Sequence, residues 1–368
     1  MIKKYSDRIN KYVLDNGLKV TFLNMPGVHR FTVNLIVHVG AMYEKYKIGE
    51  DLHYIPRGVC HFIEHKMFDM PNGNITKEFD KYGIEVNAFT SLLETRYVFY
   101  GLDHFKEGLG TLIDFVFTPY FTDELVESER KVIINEALMY QDDPMNAFYM
   151  NFMNGMFHSS PLGRDIGGSV SDISKITTKD LIDNYNIFYH PKNMDLVIVG
   201  NIDNDSTLKY LNEKFKEFNF NDYLNPILYL DLEPKEVKEK RIIVNTNIEV
   251  PSFYYGLKLP QNDYNPIKLK YYYSFILNQM FGFDTKFAQK LINKRLINYD
   301  LSYSFDGFPY YPYISISGDT FVPEMAVKEI EKRINHYSFK KLKKDELERS
   351  KKMWIGSFIM KNDSIKSL

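Results

Sequence analysis

Cysteine is nearly absent: Cys60 stands alone in 368 residues, so no internal disulfide can form. Neither charge is in excess, since 46 Lys and Arg against 48 Asp and Glu leave a formal net charge of -2. That balance excludes the basic footprint of a nucleic-acid-binding protein, and the scattered lysine pairs read as solvated surface. Long apolar runs are missing as well. No stretch approaches the ~18 residues of a membrane span, and the start from Met1 to Arg8 carries no apolar segment after its lysines. A cytoplasmic protein without membrane contact is expected. The chain also lacks a Gly-rich phosphate loop and the regular strand-helix alternation of doubly wound folds.

What remains is the composition of a folded protein, 44% apolar and 26% charged, in a chain long enough for two domains with full cores. Taken in order, runs at 11–14 and 18–23 flank Asp15-Asn16-Gly17, a hairpin turn signal, and a third β-rich run covers 31–39. A polar loop leads to a helix around His61. A short amphipathic helix through Ile75, Phe79 and Tyr82 follows, then strands at 85–91 and 96–100. Helices are expected at about 104–117, 122–140, 145–157 and 178–189, before a strand at 194–200. The apolar-poor stretch 219–240, with Pro226 and Pro234, reads as a linker. Beyond it strands at 241–244 and 253–259, helices at 268–281 and 283–294, strands at 301–305 and 313–317, and helices from Val322 and Lys344 repeat the order of the first half. The expected fold is therefore α+β, with two similar halves, each a mixed sheet covered by helices. The domain boundaries are 1–218, a linker at 219–240, and a second domain at 241–368 that has no counterpart of the segment from about 141 to 200.

The stretch Cys60-His61-Phe62-Ile63-Glu64-His65-Lys66 carries the chemistry. At about 100° per residue, His61, Glu64 and His65 share an arc of about 100°, while Val59, Phe62, Ile63 and Met67 fall opposite and can anchor the helix. Cys60 lies behind the histidines and reads as a small core residue. Two neutral imidazoles and one carboxylate suit zinc, whose Lewis acidity lowers the pKa of a water, with Glu64 as the base. Two solvated histidines on a surface helix would give the same pattern, so a third ligand is required. A second helix places Glu129, Val132, Ile133 and Glu136 at i, i+3, i+4 and i+7. Two carboxylates bracketing Val and Ile either meet a cation or reach water at a domain edge.

Taken together, His61-x-x-Glu64-His65 with the distant Glu129 and Glu136 resembles the pitrilysin/insulinase family of zinc peptidases, the inverzincins. Further matches are Leu14-Asp-Asn-Gly-Leu18, Gly40 with Glu44, Asn87-Ala-Phe-Thr-Ser91 followed by Thr95 and Tyr97, Pro161-Leu-Gly163 with Gly168, and Tyr189-His-Pro-Lys-Asn-Met194 leading to Val199-Gly200. Within the family the chain is most similar to the smaller, processing-peptidase-like bacterial members. The resemblance implies one zinc ion held by His61, His65 and Glu136, with Glu64 as catalytic base and Glu129 orienting a ligand. It implies that Asn87, Ala88 and Phe89 form an edge strand to which a peptide substrate adds. The family's substrate-binding Arg and Tyr align near Ile292 and Tyr299, so the Tyr is present and the Arg is not. A metalloendopeptidase acting on peptides or small unstructured proteins is the implied function. A homologous subunit carrying the Arg/Tyr pair, giving a heterodimer, or a second copy of this chain would complete the chamber. A non-catalytic binding or scaffold subunit of such a complex is the alternative.

Overall fold

The structure, a computed structural model, describes residues 7–245, 248–260, 265–299, 301–307, 310–337 and 344–362. Among them, contacts gather into two compact units. The first takes the residues up to Tyr140 together with Asp165–Leu230, and the second takes Gln141–Arg164 together with Asp231–Lys361.

The first unit opens with the hairpin of β1 (Ile9–Val13) and β2 (Lys19–Asn24), turned at Gly17, whose φ of +91° favours glycine. Then come β3 (Phe31–Val37), the hairpin of β4 (Lys45–Ile48) and β5 (Asp51–Tyr54), and helix α1 (Val59–Met67). A small ladder of β6 (Asp69–Met70) and β7 (Gly73–Asn74) leads to α2 (Thr76–Asp80), β8 (Glu85–Thr90), β9 (Thr95–Gly101), α3 (Phe105–Phe117) and α4 (Asp123–Asp142). Helix α5 (Pro144–Met156), capped by Asp143, belongs to the second unit. The first unit resumes with α6 (Val170–Ile173), α7 (Thr178–Phe188), β10 (Met194–Gly200), α8 (Asn204–Phe215) and β11 (Ile227–Tyr229).

Six strands form one sheet in the order β1-β2-β10-β3-β9-β8. Strand β10 enters between β2, to which it is parallel, and β3, to which it is antiparallel. The pleat sends Val33, Leu35 and Val37 of β3 and Tyr97 and Phe99 of β9 to one face, where each is fully buried. Phe62, Leu112 and Leu181 of α1, α3 and α7 are also fully buried. Burying each such side chain contributes roughly 1.5–3 kcal/mol. Strand β8 is left at the edge, paired with β9 on one side only.

The second unit contains α5, β12 (Ser252–Lys258), α9 (Pro266–Phe281), α10 (Lys286–Asn293), β13 (Ser302–Asp306), β14 (Tyr313–Asp319), α11 (Pro323–Tyr337) and α12 (Lys344–Asn362). Its sheet runs β12-β14-β13, the order that β3, β9 and β8 take in the first unit. Phe281, Leu291, Ile316, Ala326 and Ile330 make its core. Glu233, within the expected linker, is tied into this unit: its carboxylate accepts from the backbone N–H groups of His158, Ser159 and Ser160 at 2.7–2.9 Å and from Lys258 Nζ at 2.7 Å.

The expected α+β layering is present in both units. A strand expected at 241–244 does not form; Ile243 there is 72% exposed, and a β-branched run without a neighbouring strand has nothing to pair with. Among the described residues no helix is long and apolar enough to cross a membrane.

Candidate metal centre

Helix α1 starts at Gly58, whose φ of +83° and close approach to the Gly167 carbonyl leave no room for a side chain. Val59, Phe62, Ile63 and Met67 are at most 2% exposed, so the apolar side of the helix is anchored as its spacing predicts. Helix α4 is held across it. Arg130 of α4 donates to the carbonyls of Ile173 and Ile176, and its guanidinium lies 5.6 Å from the Phe62 ring centre. Of the four residues expected to form one stripe on α4, Ile133 is buried at 2% exposure, whereas Val132 is 52% exposed. The stripe is therefore the margin of the packed face, and Glu129 and Glu136, with side chains 22% and 29% exposed, sit on that margin facing α1.

This places three ligand atoms together. His65 Nε2 lies 3.5 Å and His61 Nε2 3.9 Å from Glu136 Oε2, and among the described residues these three form a group whose ligand atoms all lie within 4.8 Å of one another. A tetrahedral zinc with bonds of about 2.0–2.1 Å has ligand-to-ligand edges of about 3.4 Å, so the set suits zinc once its wider gaps close, by up to about 1.4 Å for a pair at the 4.8 Å limit. The other His65 nitrogen, Nδ1, is 3.0 Å from Glu129 Oε1, which fixes the tautomer that turns the Nε2 lone pair to the site. Glu129 thus orients His65. His61 Nδ1 is buried, and the Cβ that Gly167 lacks would stand 3.1 Å from it.

The electrostatics ask for a cation. Three carboxylates, Glu64, Glu129 and Glu136, act on His65; burial pulls its pKa down, but the Glu129 hydrogen bond and the three negative charges outweigh burial and raise it. His61 goes the other way, pushed down to about 4 by burial and then by the neighbouring His65, so its imidazole is neutral near pH 7, the form that ligates metal. Burial raises the Glu64 carboxyl, partly offset by His65 and by hydrogen bonds from Thr90. Glu129 is lowered by its hydrogen bond to His65.

Glu64, expected on an open polar arc, is only 8% exposed. Thr90 explains the burial: its hydroxyl donates to Glu64 Oε2 at 3.0 Å from the end of edge strand β8. Sequence reasoning gave Thr90 no role; its neighbours Asn87, Ala88 and Phe89 do lie on that edge, with Phe89 42% exposed. Tyr299 belongs to the second unit and is 78% exposed.

In chain order, α9 and α12 of the second unit correspond to α1 and α4 of the first. Gln279 donates a hydrogen bond to Ser350, and both are buried. A buried neutral pair thus links these two helices, where α1 and α4 are linked by the charged pair His65 and Glu129.

Comparison with known proteins divides the chain at another point, the second profile taking in α7, β10, α8 and β11 of the first unit. Residues 19–169 match the family profile "Insulinase (Peptidase family M16)", and residues 175–353 match "Peptidase M16 inactive domain". The uncharacterized zinc protease YmfH of Bacillus subtilis is 30% identical over 361 residues, spanning 94% of this chain and 82% of that protein. An uncharacterized zinc protease of Rickettsia bellii is 31% identical over 208 residues, 55% of this chain and 48% of its own. Among solved structures, one described as an M16-like peptidase from Alicyclobacillus acidocaldarius superposes with a TM-score of 0.92 at 27% identity, covering 98% of this chain and 85% of its own. With both halves matched in order and a zinc-protease relative aligned along nearly its whole length, the chain belongs to the insulinase family, peptidase family M16.

Proposed function

We propose that the protein is a zinc metalloendopeptidase that cuts peptides or small unstructured proteins, with residues 1–218 as its catalytic domain and residues 241–368 as a non-catalytic companion. The observation that carries the proposal is the convergence of His61 Nε2, His65 Nε2 and Glu136 Oε2 beside the buried Glu64 carboxyl. His61, His65 and Glu136 would hold one zinc ion per chain. When bound, the ion supplies Lewis acidity, lowering the pKa of a water and polarising the scissile carbonyl. Glu64 takes the proton from the attacking water and returns it to the leaving amine, a role that a carboxyl whose proton affinity is raised by burial suits. Glu129 keeps the His65 ring oriented. An extended substrate lies along β8, where the backbone at Asn87, Ala88 and Phe89 pairs with it and grips any sequence through main-chain groups. Tyr299 contacts the substrate, and a homologous subunit or a second copy supplies the missing Arg. A cytoplasmic location is part of the proposal and is checked by cell fractionation.

The test is Glu64→Gln in the full chain, with metal analysis and hydrolysis of an unstructured peptide, each with and without a candidate partner subunit. The variant is expected to keep one zinc per chain and to lose roughly 100- to 10,000-fold in turnover. Near-normal turnover in Glu64→Gln overturns the role of Glu64. A wild-type chain that binds no zinc supports the scaffold reading instead.

A further inference from the structure

Strand β8 offers only one side for a new neighbour, and its hydrogen bonds reveal which residues face that side. In an antiparallel pair, successive residues turn their N–H and C=O groups alternately toward and away from the partner strand. Ser91 N–H bonds inward to the Glu94 carbonyl at 2.8 Å, placing the odd-numbered residues 85, 87, 89 and 91 in the inward set. Val86, Ala88 and Thr90 therefore turn their backbone groups to the open side. One of these outward N–H groups is already engaged, since Ala88 N–H donates to Asn87 Oδ1 at 2.9 Å, and the Thr90 hydroxyl donates to the Glu64 carboxylate at 3.0 Å.

We propose that Thr90 is a positioning residue: its hydroxyl holds the Glu64 carboxylate at the point where pairing between β8 and an added peptide strand ends. This rests on the reading of the site as a zinc peptidase. The Thr90 grip differs in kind from that of Asn87 on its neighbour Ala88. Asn87 can swing aside and release Ala88 N–H to a substrate, because its side chain is the only group that must move. The Thr90 hydroxyl bonds a carboxylate that is itself buried, and charge-assisted bonds of this kind are roughly twice as strong as neutral ones. An added strand thus pairs at Val86 and Ala88 and, where β8 ends at Thr90, delivers its next residue to Glu64. The edge strand and the base are joined through one residue, so the register of strand addition also sets which peptide bond reaches the base.

The experiment compares Thr90→Val, which keeps the shape and the backbone N–H but removes the hydroxyl, with Thr90→Ser, which restores it. Both are made in the full chain loaded with zinc. Thr90→Val is expected to lower kcat about tenfold or more with KM and zinc content unchanged, and Thr90→Ser to retain at least about half of the wild-type kcat. Crystal structures of the two variants provide a second measurement: the Glu64 carboxylate leaves its position in Thr90→Val and keeps it in Thr90→Ser. The inference is overturned if Thr90→Val turns over within about twofold of wild type, if only KM changes, or if its Glu64 carboxylate has not moved. A zinc-loaded wild type that cleaves no unstructured peptide would sink the peptidase reading, and the two crystal structures would still decide the role of Thr90.

Discussion

Replacing Glu233 by Gln probes the most heavily engaged buried ion pair of the second unit. Glu233 and Lys258 have side chains only 6% and 8% exposed and meet at 2.7 Å. Burial alone would raise the Glu233 carboxyl, but the hydrogen bonds from Lys258, from the N–H groups of His158 and Ser159 and from the Ser159 hydroxyl outweigh it and bring the pKa from 4.5 to about 2. At about 1.4 kcal/mol per tenfold in proton affinity, that difference contributes about 3 kcal/mol at pH 7. The value agrees with the ~3–5 kcal/mol lost when one partner of a buried pair is removed and the other charge is stranded. Because the carboxyl is depressed, its contribution is complete above pH 4.5 and fades as pH falls toward 2. At pH 3 about 1.4 kcal/mol remains. The assay is provided by the chain itself, since its single tryptophan, Trp354, belongs to the second unit. Urea unfolding followed by Trp354 fluorescence, with a slope of about 2 kcal/mol/M, should show the Glu233→Gln midpoint about 1.5 M below wild type at pH 7. By pH 3 the gap should shrink to less than half. A gap under about 0.3 M at pH 7, or one that does not narrow between pH 5 and pH 3, would refute the reasoning.

Two further outcomes test the first unit. Glu136→Gln keeps the shape of the side chain but removes its charge, and it should weaken zinc binding by more than the ~10- to 100-fold typical of losing an outer hydrogen bond such as that from Glu129; competition against a chromogenic chelator measures this, and unchanged affinity removes Glu136 from the ligand set. Gly58→Ala puts a methyl group against the Gly167 carbonyl at a φ of +83°, and a loss of about 2 kcal/mol or more in stability is expected by circular dichroism melts, together with weaker zinc binding as the start of α1 is displaced; a melt unchanged from wild type contradicts the packing described.

Much of the site was legible because its signals are local. His61 and His65 are one turn apart, and the four apolar residues on the far side of α1 announce which way the helix faces. The hairpin at Gly17, the order of the strands and the repeat of that order after residue 250 follow from turn chemistry and apolar period. Other features depend on partners that sequence does not name. The β4-β5 hairpin is polar and all of β5 is exposed, so no alternation marked it; Gly49, with a φ of +60°, was its one signal. Helix α8 carried a readable pattern in the Asp203 cap with Thr207, Leu211 and Phe215 at steps of four, overlooked in a polar stretch. Thr90 could not have been found locally, because it meets Glu64 only through the register of β8 against β9 and the seating of α1 on the sheet.

The bond from Ala88 N–H to Asn87 Oδ1 bears on solubility as well. A strand kept open for a guest's backbone is equally open to the same strand of another molecule, and an exposed row of unpaired donors and acceptors is the usual seed of edge-to-edge aggregation. The Asn87 amide covers the Ala88 donor, so one outward N–H of the even-numbered trio is capped by a side chain of the strand itself. A flexible substrate can displace the Asn87 amide one bond at a time. Two rigid copies of the sheet would have to displace it on both sides at once, so the same amide that yields to a peptide helps keep the folded molecules apart.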